Sequence, residues 1–78
     1  PNPFNPSTKV SFTLPPSTNV KLSVFNALGE KIAELMNEVK SAGTYDVDFN
    51  ASELSSGIYL YRLEAGEFIQ TRKMSLMK

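Results

Sequence analysis

The sequence predicts an all-β fold, an antiparallel β-sandwich built as a single domain. Three observations predict it: short runs in which apolar and polar residues alternate, glycine and proline punctuation between those runs at regular spacing, and a length of 78 residues that suits one modest core. A chain this small buries only roughly 60% of the surface its unfolded form exposes. It has no cysteine, so packing and strand pairing carry its stability without disulfides.

The opening Pro1, Asn2, Pro3, Phe4, Asn5, Pro6, Ser7 resists regular structure, because each proline fixes φ, removes a donor and extends the residue before it. Residues 1–7 therefore read as the end of a linker, and the abrupt start at Pro1 reads as a cut through a longer polypeptide. From Thr8 to Leu14, Val10, Phe12 and Leu14 alternate with Lys9, Ser11 and Thr13, the period of a half-buried strand. Pro15 and Pro16 end it. A second run, Asn19 to Asn26, turns Val20, Leu22 and Val24 inward and puts Phe25 on the opposite face, which marks Phe25 as the aromatic with a candidate surface role. Gly29 marks a turn.

Two patterns compete in the next stretch. Leu28, Ile32, Leu35, Met36 and Val39 fall at spacings of three and four, so periodicity alone favours an amphipathic helix from Ala27 to Lys40. The alternative is a strand from Glu30 to Met36 distorted by a bulge, which lets residues of both parities reach the core. After Ser41, Ala42 and Gly43, Tyr45, Val47 and Phe49 alternate with Asp46, Asp48 and Asn50 as a half-solvated strand. Ala51 to Ser56 is turn-like. Gly57 then precedes Ile58, Tyr59, Leu60, Tyr61, Arg62, Leu63, apolar on both faces at its start as in a central strand. Ala65, Gly66 and Glu67 form a tight connection into a last strand, Phe68 to Met77. The expected core comprises Phe12, Leu22, Val24, Tyr45, Val47, Phe49, Tyr59, Tyr61 and Leu63.

Residue types limit the chemistry. With neither histidine nor cysteine, His-based triads, thiol nucleophiles and the usual zinc-ligand sets are absent; the expectation is a non-enzyme with no cofactor and no metal. Asp46 and Asp48 stand roughly 6.5 to 7 Å apart by strand rise and read as a solvated face. With Asn50 they match the first ligand positions of a calcium loop, but Ala51 and Gly57 stand where that loop needs glycine and glutamate. Asn50, Ala51, Ser52 is a formal glycosylation triplet that reads as a turn. Aromatics at alternating positions read as core. Formal net charge is zero, which argues against nucleic acid and anionic membrane as partners. No apolar run approaches the roughly 20 residues of a transmembrane segment, and no signal-peptide pattern opens the chain. Arg72, Lys73 and Lys78 form a small basic cluster of the kind that keeps a sheet edge from aggregating.

The punctuation as a whole carries a resemblance. Pro1 to Thr8, then Ala42, Gly43, Thr44, Tyr45, then Leu54, Ser55, Ser56, Gly57, Ile58, Tyr59, Tyr61, Arg62, and lastly Lys73 with Lys78, resemble the type A C-terminal sorting domain of the type IX secretion system across essentially the whole chain. The resemblance implies an immunoglobulin-like antiparallel β-sandwich of about seven strands, and so a strand in place of the helix at Ala27 to Lys40. It implies that residues 8–78 are the C-terminal signal of a cargo protein exported by Bacteroidetes and related bacteria. The cargo domain precedes it in the same polypeptide and crosses the periplasm, translocon components of the outer membrane read the signal, and a sortase removes it as the cargo is secreted or fixed to the cell surface. The family usually carries a basic residue after the glycine of the second turn; here Glu30 follows Gly29 and the basic residue moves to Lys31. Lys73, Lys78 and Lys31 are therefore the candidate partner-recognition residues. Strand alternation puts Met74 and Leu76 opposite Lys73, as the anchors that hold it.

Two other functional classes fit parts of the sequence. One is a non-catalytic immunoglobulin-like spacer or adhesion module of a larger secreted protein, which further domains would follow, whereas a sorting signal ends its protein. The other, a carbohydrate-binding appendage, rests on the aromatics alone. Oligomeric state stays open, with sheet edges as the places where copies pair.

Overall fold

A computed structural model describes residues 7–77. The opening segment 1–6, with Phe4, and the terminal Lys78 lie outside the described residues. Six strands follow in chain order: β1 (Ser7–Leu14), β2 (Thr18–Asn26), β3 (Lys31–Lys40), β4 (Gly43–Asn50), β5 (Gly57–Ala65) and β6 (Phe68–Leu76). The all-β expectation holds, with six strands among the described residues where about seven were expected. β1 starts at Ser7, one residue before the strand read from the alternation.

All pairings are antiparallel. β1 and β4 form a two-stranded sheet, and the other four form a sheet in the order β3-β2-β5-β6. This is the arrangement of strands B and E against C′, C, F and G in an immunoglobulin-like sandwich. A local feature agrees with that assignment. Near the start of β5, in the F position, the Tyr59 hydroxyl donates back to the Ser55 carbonyl at 2.7 Å, as in a tyrosine corner.

Ala27 to Lys40 contains a strand, and no described residue is helical. Its helix-like spacing has a physical origin in two slips of register. Leu22 faces Met36 while Ser23 faces Glu34, and Val24 faces Ala33 while Phe25 faces Lys31; Leu35 and Ile32 are the extra residues. Each bulge shifts the side-chain phase by one, so Ala33, Leu35 and Met36 all pack against the core despite mixed parity. The β2–β3 turn is closed by Gly29 at φ +87°, a left-handed conformation that favours glycine. Asn26 Oδ1 accepts from the backbone N–H groups of Leu28 and Glu30, so its side chain does part of the turn's hydrogen bonding.

The core lies between the sheets in two clusters. Val10, Phe12, Leu14, Val20, Leu22 and Leu63 form one; Val24, Phe49, Ala51 and Tyr59 form the other. Of the expected core residues, Phe12, Leu22, Val24, Phe49, Tyr59 and Leu63 are buried, while Tyr45, Val47 and Tyr61 are half-buried against those clusters. The small sheet cannot cover a sheet twice its strand number, which leaves inward residues near the sandwich's ends more open. Phe68, the first residue of β6, is 57% exposed.

Candidate functional site

The two outer faces of the sandwich differ in kind. On the two-stranded sheet, Lys9, Ser11 and Thr13 face Asp48, Asp46 and Thr44 across the ladder, and all six are exposed. Ser11 donates to Asp46 at 2.6 Å, and Thr13 and Thr44 share a hydrogen bond. This is the ordinary solvated face of an antiparallel sheet, and it places Asp46 and Asp48 as the sequence suggests. Asn50 ends β4 where the turn begins, its Oδ1 accepting from the Ser52 N–H at 2.9 Å.

The outer face of the four-stranded sheet breaks the same rule. Residues directly opposite on neighbouring strands share a face. Lys31 on β3 opposes Phe25 on β2, Phe25 opposes Leu60 on β5, and Leu60 opposes Lys73 on β6. One row therefore crosses all four strands as cation, aromatic, aliphatic, cation. Its ends are about 14 Å apart at the usual strand spacing. Around it the same face carries Val39, Ile58 and Ile69, which are 72%, 42% and 63% exposed.

Charge on this face is organised around the row. Lys31 donates to Glu34, its neighbour in an exposed ion pair. That hydrogen bond holds the Glu34 carboxyl below its ordinary value, with Asn37 and the charge of Lys21 acting in the same direction against a smaller desolvation effect. Arg62 lies over the Phe25 ring at 4.9 Å and pairs with Glu64 at 3.1 Å. The out-of-phase Phe25 is thus half-buried beneath a guanidinium, a cation–π contact. Lys73 is exposed and makes no hydrogen bond or ion pair among the described residues. Counting Lys21, Lys31, Arg62 and Lys73 against Glu34 and Glu64, the face has a surplus of two positive charges.

The structure therefore brings two of the three candidate recognition residues, Lys31 and Lys73, onto one face and one row; the third, Lys78, lies outside the described residues. Met74 and Leu76 turn inward and pack against the second core cluster, which fixes the part of β6 that carries Lys73. Glu30 is occupied in the turn, where its carboxylate accepts from Asn26 Nδ2 at 2.7 Å, and Lys31 is the first residue of β3 to reach the sheet face. Sequence reading missed Leu60 and the row itself, because a row across strands needs the register of three ladders. A second feature is a cleft of about 440 Å³ at one end of the sandwich, lined by Leu14, Pro15, Leu63, Ala65 and Phe68, with Glu67 its one charged residue. No helix among the described residues is long and apolar enough to cross a membrane.

Comparison with known proteins matches residues 1–77 to the family described as secretion system C-terminal sorting domain. Searches among curated proteins and among solved structures returned no match.

Proposed function

The chain belongs to the secretion system C-terminal sorting domain family, and from that premise we propose that components of the type IX translocon read it through Lys31 and Lys73 on the outer face of the four-stranded sheet, together with Lys78. Domains of this family are the C-terminal signals by which the type IX system recognises and exports cargo proteins, which end up secreted or on the cell surface. The tail itself is non-catalytic. Beyond that, the reading holds that the cargo passes through the periplasm, that a sortase removes the domain at the surface, and that residues 8–78 are the sorting unit while 1–7 end the linker to the cargo.

The observation that carries the recognition step is the row Lys31–Phe25–Leu60–Lys73. A tag read by a partner needs side chains held at fixed separation, and four paired strands supply that rigidity better than a loop does. The test is export of a reporter fused to this chain in a host with a working type IX system. Replacing Lys31, Lys73 and Lys78 by alanine should leave stability within about 0.5 kcal/mol per site, as surface changes usually do. The variant fusion should accumulate inside the cell envelope while the unmutated fusion reaches the surface or medium. A folded triple variant exported at the normal rate would show the lysines to be ordinary surface charges.

A further inference from the structure

We infer that the partner of this face is an acidic polypeptide segment that crosses the four strands in extended conformation and presents two carboxylates flanking one apolar side chain at alternate positions. The inference rests on the reading that the sheet face is the recognition surface, and it adds the chemistry and spacing of what binds there.

Three observations fix the occupant. The surplus positive charge calls for an anionic partner, and both ends of the row are lysines, one of them already bonded to a carboxylate within the chain. Between the lysines lie Phe25 and Leu60, both half-buried, so the centre of the ligand must be apolar; a bare anion or a phosphate chain would leave that centre unmatched. The Phe25 ring is also capped by Arg62, which removes the open aromatic face that stacking on a base or a sugar needs.

The separation then sets the register. In an extended chain, side chains at i, i+2 and i+4 point to one face and span roughly 13 to 14 Å, which matches the row. An acid–x–apolar–x–acid segment thus places one carboxylate at Lys31, the apolar residue over Leu60 beside the Arg62-capped Phe25 ring, and the second carboxylate at Lys73. Glu34 competes for Lys31 in the free domain, while Lys73 has no competitor among the described residues. The surface is therefore half-occupied by its own chain before the partner arrives.

The experiment uses the ¹⁵N-labelled chain titrated with a capped peptide containing Asp-Ser-Leu-Ser-Asp, and with a control of the same composition, Ser-Leu-Asp-Asp-Ser, in which the acids are adjacent. The spaced peptide should perturb amide shifts on β2 and β5 around Phe25 and Leu60 and bind roughly five-fold more tightly than the control, the scale two exposed ion pairs supply. Lys31→Glu/Lys73→Glu should abolish the difference, and Glu34→Gln should tighten the spaced peptide roughly two-fold by releasing Lys31. Circular dichroism on each variant checks that it is folded. Equal binding of the two peptides, binding to the polar face of β1 and β4, or no binding by either overturns the inference. So does preferential binding to phosphatidylglycerol vesicles, which would make the ligand a lipid surface. Export of the same double variant separates the two levels: lost export without selective peptide binding leaves the recognition face standing and removes the acidic segment, whereas selective binding with normal export does the reverse.

Discussion

Phe49→Ala tests the assembly on which the proposed recognition face depends, because Phe49 is one of the few side chains that hold the small sheet against the large one. It is 6% exposed and packs with Val24, Ala51 and Tyr59. Burying a phenylalanine removes 150 to 250 Å² from water, worth about 4 to 6 kcal/mol at roughly 25 cal/mol per Å² as an upper figure. Measured Phe→Ala truncations in cores cost about 3 to 5 kcal/mol, the cavity left behind being part of that cost. A chain of 78 residues has a total stability of about 4 to 12 kcal/mol by the usual per-residue range, so this one change consumes a large share of it. Phe25→Ala is the internal comparison, since that ring is half-buried on the outer face and its stacking with Arg62 adds only about 0.5 to 1 kcal/mol; its total cost should be about 1 to 2 kcal/mol. Urea melts at equal protein concentration, with the slope checked for two-state behaviour, measure both. A loss below about 1 kcal/mol for Phe49→Ala, or equal losses for the two variants, would refute the assignment of inner and outer faces.

Two smaller perturbations probe other parts of the fold. Tyr59→Phe keeps the ring in the core but removes the hydroxyl that donates to the Ser55 carbonyl; it should cost about 1 kcal/mol in the same melts, and no loss would mean that the corner does not hold the β5 approach. Glu34 is the titratable marker of the row. Its folded value lies below the ordinary 4.5, so its contribution to stability is present above pH 4.5 and is lost as pH falls through the folded value. The NMR titration of its side-chain carboxyl should have a midpoint below 4.5 that rises towards 4.5 in Lys31→Ala, and an unmoved midpoint would exclude Lys31 as the cause.

Much of the fold is legible in the sequence because side-chain phase along a strand is local information. The alternation at Val10, Phe12, Leu14 and at Val20, Leu22, Val24 gives the buried faces of β1 and β2 directly, and all six are buried. The phase of Phe25, read as exceptional, is what puts it on the outer face under Arg62. β3 resists the same reading because its two bulges, opposite Leu22/Ser23 and Val24/Phe25, exist only in its pairing with β2, and the extra residues Ile32 and Leu35 mimic a helical period. Phe68 escapes it for another reason: its parity is inward, but it sits at the β5–β6 hairpin, beyond the cover of the small sheet. The family resemblance, carried by turn punctuation, corrects the helix that periodicity favours.

The site is less legible than the fold because it is made of residues that are neighbours only through pairing. Phe25, Lys31, Leu60 and Lys73 belong to four strands, and the row exists only when β3-β2-β5-β6 are joined in their native register. A slip of one residue on β5 would carry Leu60 to the inner face and break the row in the middle. If the row is what the secretion machinery reads, then a chain that has not folded lacks the signal although it contains every residue of it. The inner-face residues Val24, Tyr59 and Met74, which never touch a partner, then act on recognition by fixing the strands that do. On this argument Phe49→Ala, which leaves all four row residues in place, lowers export in proportion to the fraction unfolded, whereas loss of Lys31 and Lys73 lowers it in a domain that remains folded.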